Sequence, residues 1–249
     1  MARIRRRSPY SAAANWERIL EQLAAQGLYT ATDAGDYLLT DDGRSALNHF
    51  LAAFRSHLAA ITVDVDLERL VELLGRIVAA CLNAPEPPGT WAIRHSHNIV
   101  PDEDASALAK IDQHLDDLNA FRDDAHLAAF APHEISGQGW ELFTMLWRDQ
   151  VKTVAEMAEK MAFRGHDEAA YAAALDDLVA RGWAESTADG AYLTEKGQEI
   201  RAAAELQTDR YYYLPWLALN QAEAKELFEL MTEANGRLAK LAAAETIPA

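Results

Sequence analysis

Apolar positions along this chain follow two rhythms, and the places where the rhythm changes mark its elements. After Asp167, the residues Tyr171, Leu175, Leu178 and Val179 recur at the spacing of one helical face. Arg181-Gly182 closes that helix, with glycine suited to the left-handed position beyond a helix end. Residues 183–187 and 191–194 then read as short strands around the turn Ala188-Asp189-Gly190. The same order stands earlier, over residues 16–47. Leu20 aligns with Leu175, Leu23 with Leu178, Gly27 with Gly182, Leu39-Thr40 with Leu193-Thr194, and Gly43 with Gly197, with one extra residue in the first hairpin. A match of this length predicts that one structural unit occurs twice.

The remaining pattern is helical. Ser11 is placed to cap a helix running to Gln26. A helix from Ser45 gathers Leu47, Phe50, Leu51, Phe54, Leu58 and Ile61 on one face, and Asp66 can cap the next, which carries Leu70, Leu74, Ile77, Val78 and Cys81. The proline-rich residues 84–89 fit neither helix nor sheet interior, which predicts two domains, 1–84 and 91–249. Residues 91–101 read as irregular. A helix over 102–129 turns Leu108, Ile111, Leu115, Leu118 and Phe121 inward and leaves Asp112, Asp116, Asp123 and Asp124 on the other face or its flanks. Residues 139–148 form a further helix around Leu142, Phe143, Leu146 and Trp147. Thr153 with Glu156 makes a capping-box pattern for the next, and residues 163–165 form a turn. Past the second hairpin a helix is interrupted at residues 211–216. Asn220 to Glu223 then opens the last one. Its residues Leu227, Met231, Ala234, Leu238 and Leu241 alternate in spacing between four and three, a coiled-coil-like seam that predicts a dimerisation surface.

Composition narrows the class. The 249 residues suffice for one large or two small domains, and half are apolar. Few strands and many alanines predict a mainly α fold. The lone Cys81 excludes an internal disulfide and fits a reducing, cytoplasmic setting. The basic start lacks an apolar stretch behind it, so it is not read as a signal peptide, and no apolar run is long enough for a membrane helix. No nucleophile motif or phosphate-binding glycine loop is present, so no catalytic residue and no cofactor is expected.

The succession helix, turn, helix, hairpin over residues 153–197, supported by residues 16–43, resembles bacterial winged-helix transcription regulators of the broad MarR type. The resemblance covers under half of the chain. It implies a mainly α fold with two winged-helix units, long connecting and C-terminal helices, and short β wings. The first unit lacks room for its two leading helices and is expected to be truncated at its N-terminus. The resemblance also implies a recognition helix in the major groove, a wing on the DNA backbone, a homodimer formed by terminal helices, and a small-molecule effector bound between dimer helices and DNA-binding lobes.

Charge decides which copy is expected to read DNA. The chain carries a net charge of −16, opposite to what phosphate neutralisation requires. The second copy starts its recognition helix with Asp167, Glu168, Ala169, Ala170, Ala172 and Ala173, where base readout wants Arg, Lys, Asn or Gln. Residues 130–210 hold eight Lys/Arg against fifteen Asp/Glu. The first copy places Tyr10, Ser11, Asn15 and Arg18 at its helix start, behind Arg3, Arg5, Arg6 and Arg7, and these eight form the expected DNA-binding set. The alternative is a degenerate winged-helix module that binds a protein partner or small ligand without DNA. His95, His97, His114, His126 and His133 invite a metal reading, but no HExxH or paired CxxC spacing accompanies them, and no metal is expected. Tyr211, Tyr212, Tyr213 and Trp216 read either as a ligand-pocket wall or as the buried joint between two helices.

Overall fold

The elements succeed one another much as the pattern predicts, and the fold is mainly α with two short antiparallel hairpins. The structure, a computed structural model, describes residues 9–245; the expected arm Arg3, Arg5, Arg6 and Arg7 lies outside the described residues. In chain order the elements are α1 (Ala13–Ala25), β1 (Tyr29–Ala31), β2 (Tyr37–Leu39), α2 (Asp41–Ala60), α3 (Leu67–Asn83), α4 (Trp91–Ser96), α5 (Ala107–Phe130), α6 (Gly137–Trp147), α7 (Val154–Lys160), α8 (Glu168–Ala180), β3 (Ala184–Thr187), β4 (Gly190–Leu193), α9 (Glu195–Tyr213) and α10 (Gln221–Glu245).

The chain divides into two compact units: the chain up to Leu47 with His126–Thr208, and Asn48–Ala125 with Asp209 onward. This differs from the expected division at residues 84–91. The proline-rich stretch interrupts helix without ending a domain; Pro87 is buried, and the stretch carries the chain from α3 to α4 inside the second unit. The boundaries instead fall within or beside the long helices α2, α5 and α9.

In the first unit the repeat is real at the level of atoms. Gly27 and Gly182 both take left-handed backbone, with φ of +75° and +70°. Thr40 Oγ1 donates to the Gly27 carbonyl at 2.6 Å, and Thr194 Oγ1 to the Gly182 carbonyl at 2.7 Å. Each threonine oxygen also accepts from the N–H three residues on, Gly43 at 2.9 Å and Gly197 at 3.1 Å. The hairpins register Tyr29 opposite Leu39 and Ala184 opposite Leu193. At both joints the next helix passes so close that only glycine fits. A Cβ on Gly43 would lie 2.1 Å from the Leu28 carbonyl oxygen, and one on Gly197 would lie 2.0 Å from that of Trp183.

The first copy consists, among the described residues, of α1 and its hairpin alone. It docks on the turn between α7 and α8. Ala12 N–H donates to the Arg164 carbonyl at 2.9 Å, the Asn15 amide donates to the Phe163 carbonyl at 3.1 Å, and the Tyr10 carbonyl lies 2.9 Å from His166 Nε2. The Tyr10 ring stands under the Arg164 guanidinium and beside Phe130 and His126. Gly137 admits the backbone of Pro9, whose carbonyl oxygen would lie 2.1 Å from a Cβ there.

In the second unit α3 buries Leu70, Leu73, Leu74, Ile77, Val78 and Cys81, and burial pushes the Cys81 thiol up to about 12. Its partner is α10. The seam expected to bind a second copy is covered by this chain instead: Leu227 and Ala234 are buried in the same core, Met231 and Leu238 pack against it, and Leu241 alone stays exposed. The four-and-three spacing correctly marks a buried stripe; nothing in it says whether the covering helix belongs to the same chain. Arg69 reaches Glu226 at 2.8 Å and Arg76 reaches Glu223 at 2.6 Å across the two helices. Glu223 also accepts from the Asn220 N–H at 2.9 Å, completing the predicted cap of α10, and the Arg76 fork holds its carboxyl down at about 2.

Two expectations are corrected in this unit. Residues 91–96 are helical rather than irregular, and Asp124 is buried rather than on a solvated face. One observation explains both. The Asp124 carboxylate accepts the N–H groups of Trp91, Ala92 and Ile93 at 3.0, 2.8 and 3.0 Å, satisfying the first turn of α4. The long helix α5 starts at Ala107 instead of 102, with Ser106 Oγ accepting from Ala109 N–H at 3.4 Å.

Replacing Gly197 with Ala is expected to cost about 2–3 kcal/mol, the scale of a backbone overlap that cannot relax into a side chain. Urea denaturation checks this, and an unchanged midpoint would show that the joint yields. Asn15→Ala should cost about 1 kcal/mol, one hydrogen bond between α1 and the turn. Faster amide exchange at the N–H groups of α1 would accompany that change if the hydrogen bond holds the helix in place.

Candidate nucleic-acid interface

The helix-turn-helix is built by local signals that the sequence carries openly. Ser136 caps α6, its oxygen accepting from Gly139 N–H at 3.1 Å. Thr153 and Glu156 close the capping box on α7, with Glu156 N–H to Thr153 Oγ1 at 3.2 Å and Thr153 N–H to Glu156 Oε2 at 3.2 Å. Two backbone N–H groups on the Glu156 carboxylate hold it below the usual range. The chain turns through Gly165 at φ +76°, and Asp167 caps α8 by accepting from Ala170 N–H at 2.8 Å. Trp140, Phe143, Met157, Tyr171 and Leu178 are fully buried beneath these helices. Ala191 N–H donates to the Lys152 carbonyl at 2.8 Å, tying the hairpin β3–β4 to the loop before α7.

The exposed face of α8 begins with Glu168 and Ala169 and continues with Ala173 and Asp176. It presents no cation. Nearby arginines are committed elsewhere. Arg164 pairs with Glu141 at 2.8 Å; Arg181 pairs with Asp177 at 2.9 Å and donates to the His133 and Glu134 carbonyls. Arg201 is buried between the Trp140 and Trp147 rings, 5.3 and 4.8 Å from their centres, with Glu205 beside it at 2.9 Å. Burial lowers the Arg201 pKa from its ordinary value. Burial likewise raises the Glu141 carboxyl, against the pull of Arg164, and pushes the Tyr171 hydroxyl up to about 12.

Of the expected DNA-binding set, the structure brings Tyr10, Ser11, Asn15 and Arg18 together at the start of the first copy. Tyr10 and Asn15 are engaged in docking to the turn, and Ser11 is half-buried. Arg18 is exposed and reaches Asn15 Oδ1 at 2.9 Å. The residues that sequence reasoning missed are Gly137, Arg164 and His166, which receive the first copy. The signal for Gly137 is present in the chain: two glycines in the first turn of a helix point to a close backbone approach.

The histidines are engaged by aromatic rings and a carboxylate. His97 Nδ1 lies 2.6 Å from the buried Asp117 carboxylate, His95 stacks on Trp91, His133 stacks on Trp140, and His126 Nε2 lies 3.3 Å from Trp140 Nε1. Among the described residues no group of three His, Cys, Asp or Glu converges as a metal site would require.

No curated protein and no solved structure matches the chain. A family model described as the helix-turn-helix family matches residues 47–245, well over half of the sequence, and so takes in the second copy and nearly all of the second unit but not the first hairpin. The chain therefore belongs to the helix-turn-helix family.

Proposed function

We propose that this protein is a cytoplasmic DNA-binding transcription regulator of the winged-helix class, with no catalytic activity. The observation that carries the reading is the complete, doubly capped helix-turn-helix with its hairpin, within a chain of the helix-turn-helix family. Phosphate contacts come from the first copy. Tyr10 and Asn15 anchor α1 to the turn before α8, Arg18 stands exposed on that helix, and Arg3, Arg5, Arg6 and Arg7 precede it in the sequence. The acidic start of α8 argues against the second copy as the main source of affinity.

The test is duplex binding, followed by fluorescence anisotropy across a salt series. Arg5, Arg6 and Arg7 changed together to Ala should weaken binding and flatten the plot of log K against log salt by about 0.9 for each phosphate no longer neutralised. Arg18→Ala should weaken it further, and Glu168→Ala should leave it unchanged or slightly stronger. Intact affinity without the arm, together with failure to bind on changing residues near Glu168, would transfer the site to α8. If no duplex binds at low salt, the protein is an interaction module instead.

The same reading includes a homodimer. With the α10 seam occupied, the surface for it is the face of α2, where Phe50 and Phe54 are 64% and 38% exposed and their rings stack at 6.3 Å. Residues 43–63 contain no Asp or Glu in a chain of net charge −16, so two copies repel each other least there. Sedimentation should show a dimer that Phe50→Glu converts to a monomer; a monomeric parent protein would remove the idea.

A further inference from the structure

The second unit contains a cavity of about 210 Å³ between α3, α5, α10 and the turn after α9. Leu74, Leu118, Leu227 and Met231 form its apolar walls. Ala224 and Phe228, both exposed on α10, form its solvent side, with Phe228 71% exposed. No Asp, Glu, Lys or Arg lines it.

Three polar groups belong to this lining, and one of them is an orphan among the described residues. The Trp216 indole N–H is buried without an acceptor. The Tyr212 hydroxyl, on a half-buried ring, and the side-chain amide of the exposed Asn119 are the other two. Buried donors are rarely left unpaired, and an orphan beside a cavity calls for an occupant. Burial pushes the Tyr212 hydroxyl up to about 12, so it stays protonated and able to donate at neutral pH. Its ring stacks at an angle between Phe121 and Trp216, 6.4 and 5.8 Å away, which fixes the direction of the hydroxyl.

These features define the ligand. An apolar cavity of roughly 150 Å³ takes up benzene, so this one has room for a fused two-ring molecule. The aromatic and Leu/Met walls favour a flat apolar body. The donors require an acceptor such as a carbonyl oxygen. With no charged residue in the lining, the desolvation of an ion would go uncompensated, so the ligand is neutral.

We propose that this cavity is a binding site for a small, neutral, fused-ring aromatic molecule carrying a hydrogen-bond acceptor. The site lies wholly in the second unit and goes beyond the DNA-binding reading. Its test contains no duplex, so either reading can fail without the other.

Chromone serves as the probe, naphthalene as its counterpart without an acceptor, and 2-naphthoate as a charged one, each titrated by calorimetry into the full-length chain. Chromone should bind once per chain, and 2-naphthoate at least about tenfold more weakly. Tyr212→Phe should weaken chromone about fivefold, the worth of one neutral hydrogen bond, and leave naphthalene unchanged. Ala224→Trp, at an exposed helical position, should abolish uptake of both while the unfolding midpoint stays put. Three results would overturn the assignment: no chromone binding at millimolar concentration, chromone binding untouched by Ala224→Trp, or equal weakening of chromone and naphthalene in Tyr212→Phe. A parent protein that takes up no probe and is a dimer broken by Ala224→Trp would assign the cavity to a second copy and overturn it equally.

Discussion

One close approach, made twice, governs the first unit: the helix after each hairpin passes against the carbonyl of the residue that opens the hairpin. Gly43 and Gly197 make the approach possible, and Thr40 and Thr194 lock it by bonding backward to a carbonyl and forward to an N–H. The geometry leaves no space for a methyl group, so the direction of α2 and α9 is set by backbone rather than by side-chain packing. Both helices then carry the chain across into the second unit. A constraint of this kind depends on a handful of neighbouring residues, which is why two copies that differ at most other positions keep the same bonds to within a few tenths of an ångström.

That locality also decides what is legible in the sequence. Capping residues, left-handed glycines and the hairpin turn act over three or four positions, and Thr153, Asp167, Gly182 and Asn220 all do what their types suggest. Period shows which face of α10 is buried, but period is blind to the partner, and α3 of the same chain fills the seam. Asp124 misleads because its partners, the N–H groups of α4, lie more than thirty residues away. Short helix α4 has little periodicity of its own; it exists because a distant carboxylate satisfies its first turn. Asn15 and Tyr10 have the hydrogen-bonding capacity of base readers, yet capacity does not name the acceptor, and here they meet the Phe163 carbonyl and the Arg164 side chain.

The helix-turn-helix is thus a shape whose usual contact surface has changed sign. Its core is orthodox, with Trp140, Phe143 and Leu178 sealed beneath three helices, while α8 opens on Asp167 and Glu168. Fold and reading are separable properties, since burial fixes the first and a few exposed side chains fix the second. The turn that precedes α8 is occupied by α1, whose docking uses backbone carbonyls of Phe163 and Arg164 that every sequence would offer. The first copy therefore depends on the second for its position.

Buried polar groups give the sharpest contrast between the parts of the molecule. Asp117 has no exposure and two partners, His97 at 2.6 Å and Gln113 at 2.9 Å; Asp124 has three N–H donors. A fold that satisfies two buried carboxylates so fully is not careless about desolvation. The unpaired groups stand out against that. Glu141 Oε2 and Tyr171 Oη sit inside the helix-turn-helix core, where burial raises both groups and Arg164 holds the other Glu141 oxygen at 2.8 Å. Trp216 differs from both, because its indole N–H can only donate. Among the described unpaired groups it is also the one that lines the apolar cavity. An acceptor seated in the cavity beside it would recover that cost.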